Sequence, residues 1–424
     1  MERKWLYRVL MLAAVALVLG AVPAAAGHLN VQCPGDTNGN AFQDPGESWP
    51  ANQKCMHLAA GDGFVTMADG QVLYTFGFAD ATGHPLAQVM VDYILAANFP
   101  GPTIAVDEGD EFYLNLSNVG MLIRPDLFDP HTVHWHGFPQ ASSVFDGLPE
   151  SGLAINMGAT LTYYYNVIEP GTYMYHCHVE ATEHMQMGML ANLYVRPAQN
   201  GTLINGYSKF AYNDGDGSTG YDREFPLQLS SFDSSFHIAS ETVQPLPFAL
   251  MRDDYPMING RGYPDTIDPN PLPAPAENGG LVSQPVSSLV EANAGERVLL
   301  RISNISVTRY YTLASLGLPL TVVGRDARLL RGPSGVDLSY ATSSVTLGGG
   351  ETADVIFTAP AHSGAGAFDT YFLYTSNLNY LNNSDQENGG MMTEIRVYPA
   401  GTLAPQAVAG PASGRGTQMA LEIE

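Results

Sequence analysis

Two stretches of the chain carry the same alternation of apolar and polar positions. Val106-Asp107-Glu108-Gly109-Asp110-Glu111-Phe112-Tyr113-Leu114-Asn115-Leu116-Ser117-Asn118 is echoed by Gly295-Glu296-Arg297-Val298-Leu299-Leu300-Arg301-Ile302-Ser303-Asn304. Side chains of an extended strand alternate faces with a period of two, so each stretch reads as a half-buried strand running into a turn. The closing segments match as well, Tyr173-Met174-Tyr175-His176-Cys177-His178 in the first copy and Phe372-Leu373-Tyr374-Thr375-Ser376-Asn377 in the second. The pattern predicts one β fold occurring twice, at residues 61–200 and 203–400, with metal-type residues only in the first. The Pro- and Gly-rich stretch Asp265–Gly280 reads as a loop inside the second copy, and the tail 401–424 as loose.

One apolar run departs from this alternation. Val9–Val22 follows Arg3, Lys4 and Arg8 and precedes Ala24-Ala25-Ala26, the layout of a secretory signal peptide over residues 1–26. It is shorter than the roughly 20 residues a spanning helix needs, so a periplasmic or secreted protein with no membrane span is expected. Charged residues are only 14% of the chain while Gly numbers 44 and Pro 29, which favours short strands and turns over long surface helices. With 42 acidic against 18 basic residues, the net charge of -24 repels nucleic acid and anionic membranes.

Three cysteines in an exported chain suggest one disulfide and one spare thiol, and Cys33 and Cys55 are the natural pair within segment 27–60. They bracket Asp36, Asn38, Asn40, Asp44 and Glu47, which sit at positions 1, 3, 5, 9 and 12 of an EF-hand-like calcium loop. Ala41 stands where such a loop has glycine, so a plain Asx-rich turn is an equal reading.

Six of the eleven histidines and the unpaired cysteine fall between residues 131 and 184. If His131–His136 and His176–His178 are extended, parity puts His134 and His136 on one face and His131 on the other, and Cys177 points opposite to His176 and His178. Side by side, the strands offer one site from His131 and Cys177 and another from His134, His136, His176 and His178. The loop after Cys177 adds His184 and Met189 to the first. A thiolate, two imidazoles and a weak thioether are the donor set of blue copper.

These motifs resemble the multicopper oxidases and their two-domain relatives, including copper nitrite reductase. The resemblance is carried by His134-Trp135-His136-Gly137, Asp146-Gly147, Gly171–His178, Gly188-Met189 and, in the second copy, Met257–Thr266. It implies an all-β protein of two cupredoxin-like Greek-key β-barrels, with type 1 copper on His131, Cys177, His184 and Met189. It implies type 2 and type 3 copper ligands at His134, His136, His176 and His178, and proton delivery by Asp146, whose other reading is a turn residue. An oxidase cluster takes four His-X-His pairs, whereas this chain has two, and its second copy holds only His237 and His362.

The expected function is a copper oxidoreductase that takes electrons from a small-molecule or protein donor and reduces oxygen. One alternative is a nitrite-reductase-like enzyme, with His237 or His362 of a neighbouring subunit in a homotrimer completing the second site. The other is a non-catalytic blue-copper carrier.

Overall fold

The computed structural model describes residues 33–407, and the predicted export segment lies outside the described residues. The first half contributes β1 (Gln53–Thr66), β2 (Val72–Asp80), β3 (Ile104–Asp107), β4 (Glu111–Gly120), β5 (His134–His136), β6 (Thr160–Asn166), β7 (Gly171–His176) and β8 (Leu190–Arg196). They form two facing sheets, β2-β1-β4-β6 and β3-β8-β7-β5. In the second half follow β9 (Arg223–Phe232), β10 (Tyr255–Ile258), β11 (Val290–Asn293), β12 (Arg297–Asn304) and β13 (Tyr311–Ser315). An excursion of β14 (Leu320–Arg325), β15 (Arg328–Leu329), β16 (Tyr340–Thr342) and β17 (Ser344–Leu347) precedes β18 (Thr352–Thr358) and β19 (Asp369–Thr375). The short pair β20 (Asn382–Asn383) and β21 (Gln386–Glu387) leads to β22 (Met392–Tyr398).

Pairing shows the repeat directly. The parallel pairs β1–β4 and β3–β8 recur as β9–β12 and β11–β22, and the antiparallel pairs β4–β6, β7–β8 and β5–β7 recur as β12–β18, β19–β22 and β13–β19. Both halves are therefore the same cupredoxin-like barrel, the second carrying the β14–β17 excursion.

The repeated segment read as one strand is split. β3 lies in one sheet and β4 in the other, and the chain crosses between them at Gly109, whose φ is +95°. The second barrel crosses the same way at Gly295, at φ +90°. A positive φ is open to glycine at no steric cost. Each crossing is closed by an acid one residue later: Asp110 accepts from Asp107 N–H at 2.9 Å, and Glu296 from Asn293 N–H at 2.7 Å.

The first core is aromatic, with Trp135 stacked on Tyr165 at 3.9 Å between ring centres and Phe112 and Phe138 packed around it. Such rings bury large apolar areas and lock the backbone of β5 between the histidines it carries. The segment ahead of β1 is tied down by the Cys33–Cys55 disulfide, which leaves Cys177 as a buried free thiol among the described residues. At the other end the expectation of a loose tail does not hold as far as residue 406. Leu403 bonds Asn293 through both its N–H and its carbonyl, and Gln406 bonds Glu224.

The barrels meet across a buried polar cluster. Asp354 of β18 accepts from Thr172 of β7 at 2.5 Å and from Tyr212 at 2.5 Å, and faces Arg301 of β12 at 3.4 Å. Arg301 also donates to Glu224 at 2.8 Å and lies over the Tyr194 ring. Removing one member of a buried ion pair strands the other charge. Asp354→Ala is expected to cost about 3–5 kcal/mol of stability in denaturant unfolding; a loss below about 1 kcal/mol would show that the cluster does not hold the barrels together.

Candidate metal centre

β5 and β7 pair antiparallel with His134 opposite His176 and His136 opposite Met174. Alternation turns Trp135 into the core, where it is fully buried, and leaves His134 and His136 on the outer face of the sheet. His131 stands just before β5, held in an isolated bridge to Ile155, and points to the opposite side, as parity predicted. The chain after β7 turns through Cys177 into the helix Ala181–Gln186, which carries His184, and returns at Met189. Two bonds close this loop: Met189 N–H to His184 O at 2.8 Å and Cys177 N–H to Met189 O at 3.1 Å.

His131, Cys177 and His184 are buried, and one donor atom from each falls within 4.8 Å of the others. Cys177 Sγ lies 3.2 Å from His184 Nδ1 and 4.0 Å from His131 Nδ1. Met189 is fully buried in the same core cluster. Burial raises the Cys177 pKa, but the adjacent His184 and the N–H of Thr132 outweigh it and lower the thiol overall. Burial lowers His184, and the Cys177 thiolate with Asp129 outweighs that, so the proton of the pair favours the imidazole. Burial, then His184, hold His131 well below the usual histidine range and so neutral. A soft anion and two converging imidazoles in a buried site fit a copper ion, which would take the place of the His184 proton.

The second group is His134, His136 and His176, again with donor atoms within 4.8 Å of one another. His134 Nδ1 donates to the Asp146 carbonyl at 2.6 Å, and His176 Nδ1 to the Cys177 carbonyl at 2.8 Å, which makes Nε2 of each ring the nitrogen that carries the lone pair. His136 Nδ1 faces His176 Nε2 at 3.3 Å. Burial, the leading cause at all three, lowers these histidines, His176 to about 3, so they are neutral ligands at ordinary pH. His178 does not join the triad but packs beside it, its ring centre 5.1 Å from that of His134 and 5.5 Å from that of His176.

Asp146 acts on His134 mainly through its main-chain oxygen, with its carboxylate 3.4 Å from the same nitrogen. The Asp36–Glu47 loop is closed on itself. Asp36 accepts from the N–H groups of Asn38, Gly39 and Ala41, Asp44 from the side chains of Asn38 and Asn40, and Glu47 from Thr37. The loop is not among the groups whose ligand atoms converge in the described residues. Of His237 and His362, read as alternative donors to a neighbour's site, only His237 has both ring nitrogens engaged within its own chain. Both nitrogens of His237 meet main-chain carbonyls, and His362 lies on the loop before β19, at the end of that strand away from Thr375.

Residues that the sequence did not single out also shape the sites. Asp129 stands 3.7 Å from His184 Nε2, and Thr132 gives Cys177 Sγ an N–H at 3.4 Å while its hydroxyl accepts from His178 N–H at 3.0 Å. A cavity of about 300 Å³ between the barrels is lined by His136, Tyr173, Asp326 and Glu351. Asp129 and Thr132 flank His131 and could have been sought there; Asp326 and Glu351 arrive from the other barrel and leave no local signal.

Two cupredoxin-like barrels with a His-Cys-His-Met site and a histidine group behind its cysteine define a copper-type redox protein. Multicopper oxidase family models match residues 83–200 and 172–400. The chain belongs to the multicopper oxidase family. It is 28% identical to putative laccase-18 of Oryza sativa subsp. indica over 282 residues, 63% of this chain but 38% of that protein. A multicopper oxidase of Talaromyces pinophilus is 37% identical over 106 residues, 24% of this chain and 16% of that one. The chain thus spans well under half the length of these relatives. In fold it is similar to a blue copper oxidase from Nitrosomonas europaea, at TM-score 0.58 and 23% identity over 80% of this chain and 85% of that one. A copper nitrite reductase from the same organism gives TM-score 0.51 at 18% identity, over 85% and 96%.

Proposed function

We propose that the protein is an exported copper oxidoreductase in which His131, Cys177, His184 and Met189 hold type 1 copper and His134, His136, His176 and His178 serve a second copper site that reduces oxygen. Copper bound there would supply one-electron redox chemistry, between a donor at the first site and the acceptor at the second. The observation that carries the reading is the bond from His176 Nδ1 to the Cys177 carbonyl. It joins a residue of the first site to a residue of the second through the main chain of Cys177 and one hydrogen bond. The Asp146 and Cys177 carbonyls fix the tautomers of His134 and His176 so that Nε2 carries the lone pair, and the Asp146 carboxylate lies 3.4 Å from His134 Nδ1, placed to assist proton delivery. The Cys33–Cys55 bridge and the charged, apolar and small-residue layout of residues 1–26 support export, since disulfides persist in oxidising compartments.

A nitrite-reducing role is the second reading, favoured by the second barrel's lack of imidazoles at the strand positions matching His134, His136 and His176. His176→Ala separates an enzyme from a carrier. It is expected to keep the blue colour, lose the second-site copper and lower acceptor reduction by about a hundredfold or more. Undiminished reduction of oxygen or nitrite in that variant would overturn the proposal.

A further inference from the structure

We infer that His237 is a positioning residue for the copper-ligand loop, held as an imidazolium that donates to two main-chain carbonyls at once. Its ring is fully buried, with Nδ1 2.7 Å from Tyr74 O and Nε2 2.9 Å from Gln186 O. Both oxygens belong to places where secondary structure leaves an acceptor open. Strand β2 lies at the edge of its sheet beside β1, and Phe76 N–H, two residues on and so on the same side as Tyr74 O, reaches outward to Met187 O at 2.8 Å. Gln186 is the last residue of the helix Ala181–Gln186, where carbonyls lack intrahelical partners.

A carbonyl oxygen only accepts, and a neutral imidazole has one N–H and one lone pair. Either neutral tautomer would therefore set a lone pair against a buried oxygen, and turning the ring over would present carbon to both. The imidazolium alone satisfies the two together. Full burial is the largest influence and lowers the ring's pKa to about 4, although the two carbonyls and the carboxylates of Asp233 and Asp254 raise it. The geometry stands against that lowering, because a neutral ring would forfeit one of these two bonds in a fully buried place. From β2 and from the loop, the groups that meet the ring nitrogens are main-chain oxygens; the Tyr74 hydroxyl is engaged with Asp62 instead.

Gln186 lies between His184 and Met189, so the helix Ser234–Ser240, built on the second barrel's chain, fastens the stretch between two proposed copper ligands. A ring whose folded pKa lies above its unfolded one stabilises fully below about 6.5 and loses that contribution as pH rises through the folded value. The link to copper rests on the type 1 reading; the protonation state does not.

The test is nitrogen NMR of the full copper-loaded protein, reduced to its diamagnetic state and labelled at histidine, with the His237 signals identified by their loss in His237→Gln. Two protonated ring nitrogens at pH 7 are expected, and a single protonated nitrogen would overturn the inference. Glutamine carries two N–H donors, so His237→Gln should keep the potential of the blue site but lose its drift between pH 7 and 9. His237→Phe fills the space with no donor and should release that copper about tenfold faster. A phenylalanine variant matching the parent in copper retention and potential would refute the positioning role, and if it fails to fold the glutamine variant still decides through the pH drift. Imidazolium signals in a protein that never turns blue would uphold His237 and refute the type 1 assignment.

Discussion

Copper-loaded Cys177→Ser protein is expected to be colourless at concentrations where the parent is intensely blue. The colour of a type 1 site comes from charge transfer between a thiolate and copper, and Cys177 is the free thiol among the described residues. Its neighbours make it an effective ligand: His184 Nδ1 at 3.2 Å and the Thr132 N–H at 3.4 Å favour the anion in a site that burial alone would keep protonated. A serine hydroxyl is a hard, protonated donor under the same conditions. The two imidazoles and Met189 would remain, so copper should bind the variant at least about a hundredfold more weakly. The second site should still load, because the His176 bond is to the main-chain oxygen of residue 177, which serine retains. Absorption spectra and copper analysis decide the matter. A variant as blue as the parent would remove Cys177 from the copper.

The second large effect is expected in the metal count. A cluster of three coppers needs imidazoles from both barrels, and strand pairing identifies the positions that would have to supply them. His134 opposite His176 in β5 and β7 corresponds to Leu313 opposite Thr375 in β13 and β19, and His136 corresponds to Ser315. A leucine offers nothing, and hydroxyls are poor substitutes for imidazole at copper. The fully loaded chain should therefore hold fewer than four coppers, and four-electron reduction of oxygen to water should be slow beside the parent family's activity. Copper analysis with an oxygen electrode and a chemical reductant would settle it, following nitrite in parallel. Four ions per chain with rapid water formation would mean that ligands come from elsewhere, as from a second copy's first barrel.

How far the sequence spoke follows from how local each feature is. The repeat was legible because a two-residue period survives in 106–118 and 295–304, and the parity of His131 against His134 and His136 placed them on opposite sides of one strand. The crossing at Gly109 was missed because alternation alone does not tell one strand from two joined by a tight turn. His237 was misread as a donor to a neighbour's metal, since nothing nearby in sequence announces Tyr74 O or Gln186 O. Asp326 and Glu351 come to line a cavity with His136 only once the barrels dock. The calcium spacing in 36–47 was real, yet Asx side chains that bond their own loop produce the same spacing.

The matched pairing of the two barrels has one more consequence. A barrel that keeps every pairing of its twin while lacking the twin's ligands is a built-in experiment on whether this architecture needs a metal to form. The expected answer is that hydrophobic packing within the chain suffices, unlike small modules whose folding energy is their binding energy. Copper uptake should then be a late event on a finished scaffold. Silver or cobalt should be able to take the first site without unfolding it, and demetallated protein should melt cooperatively.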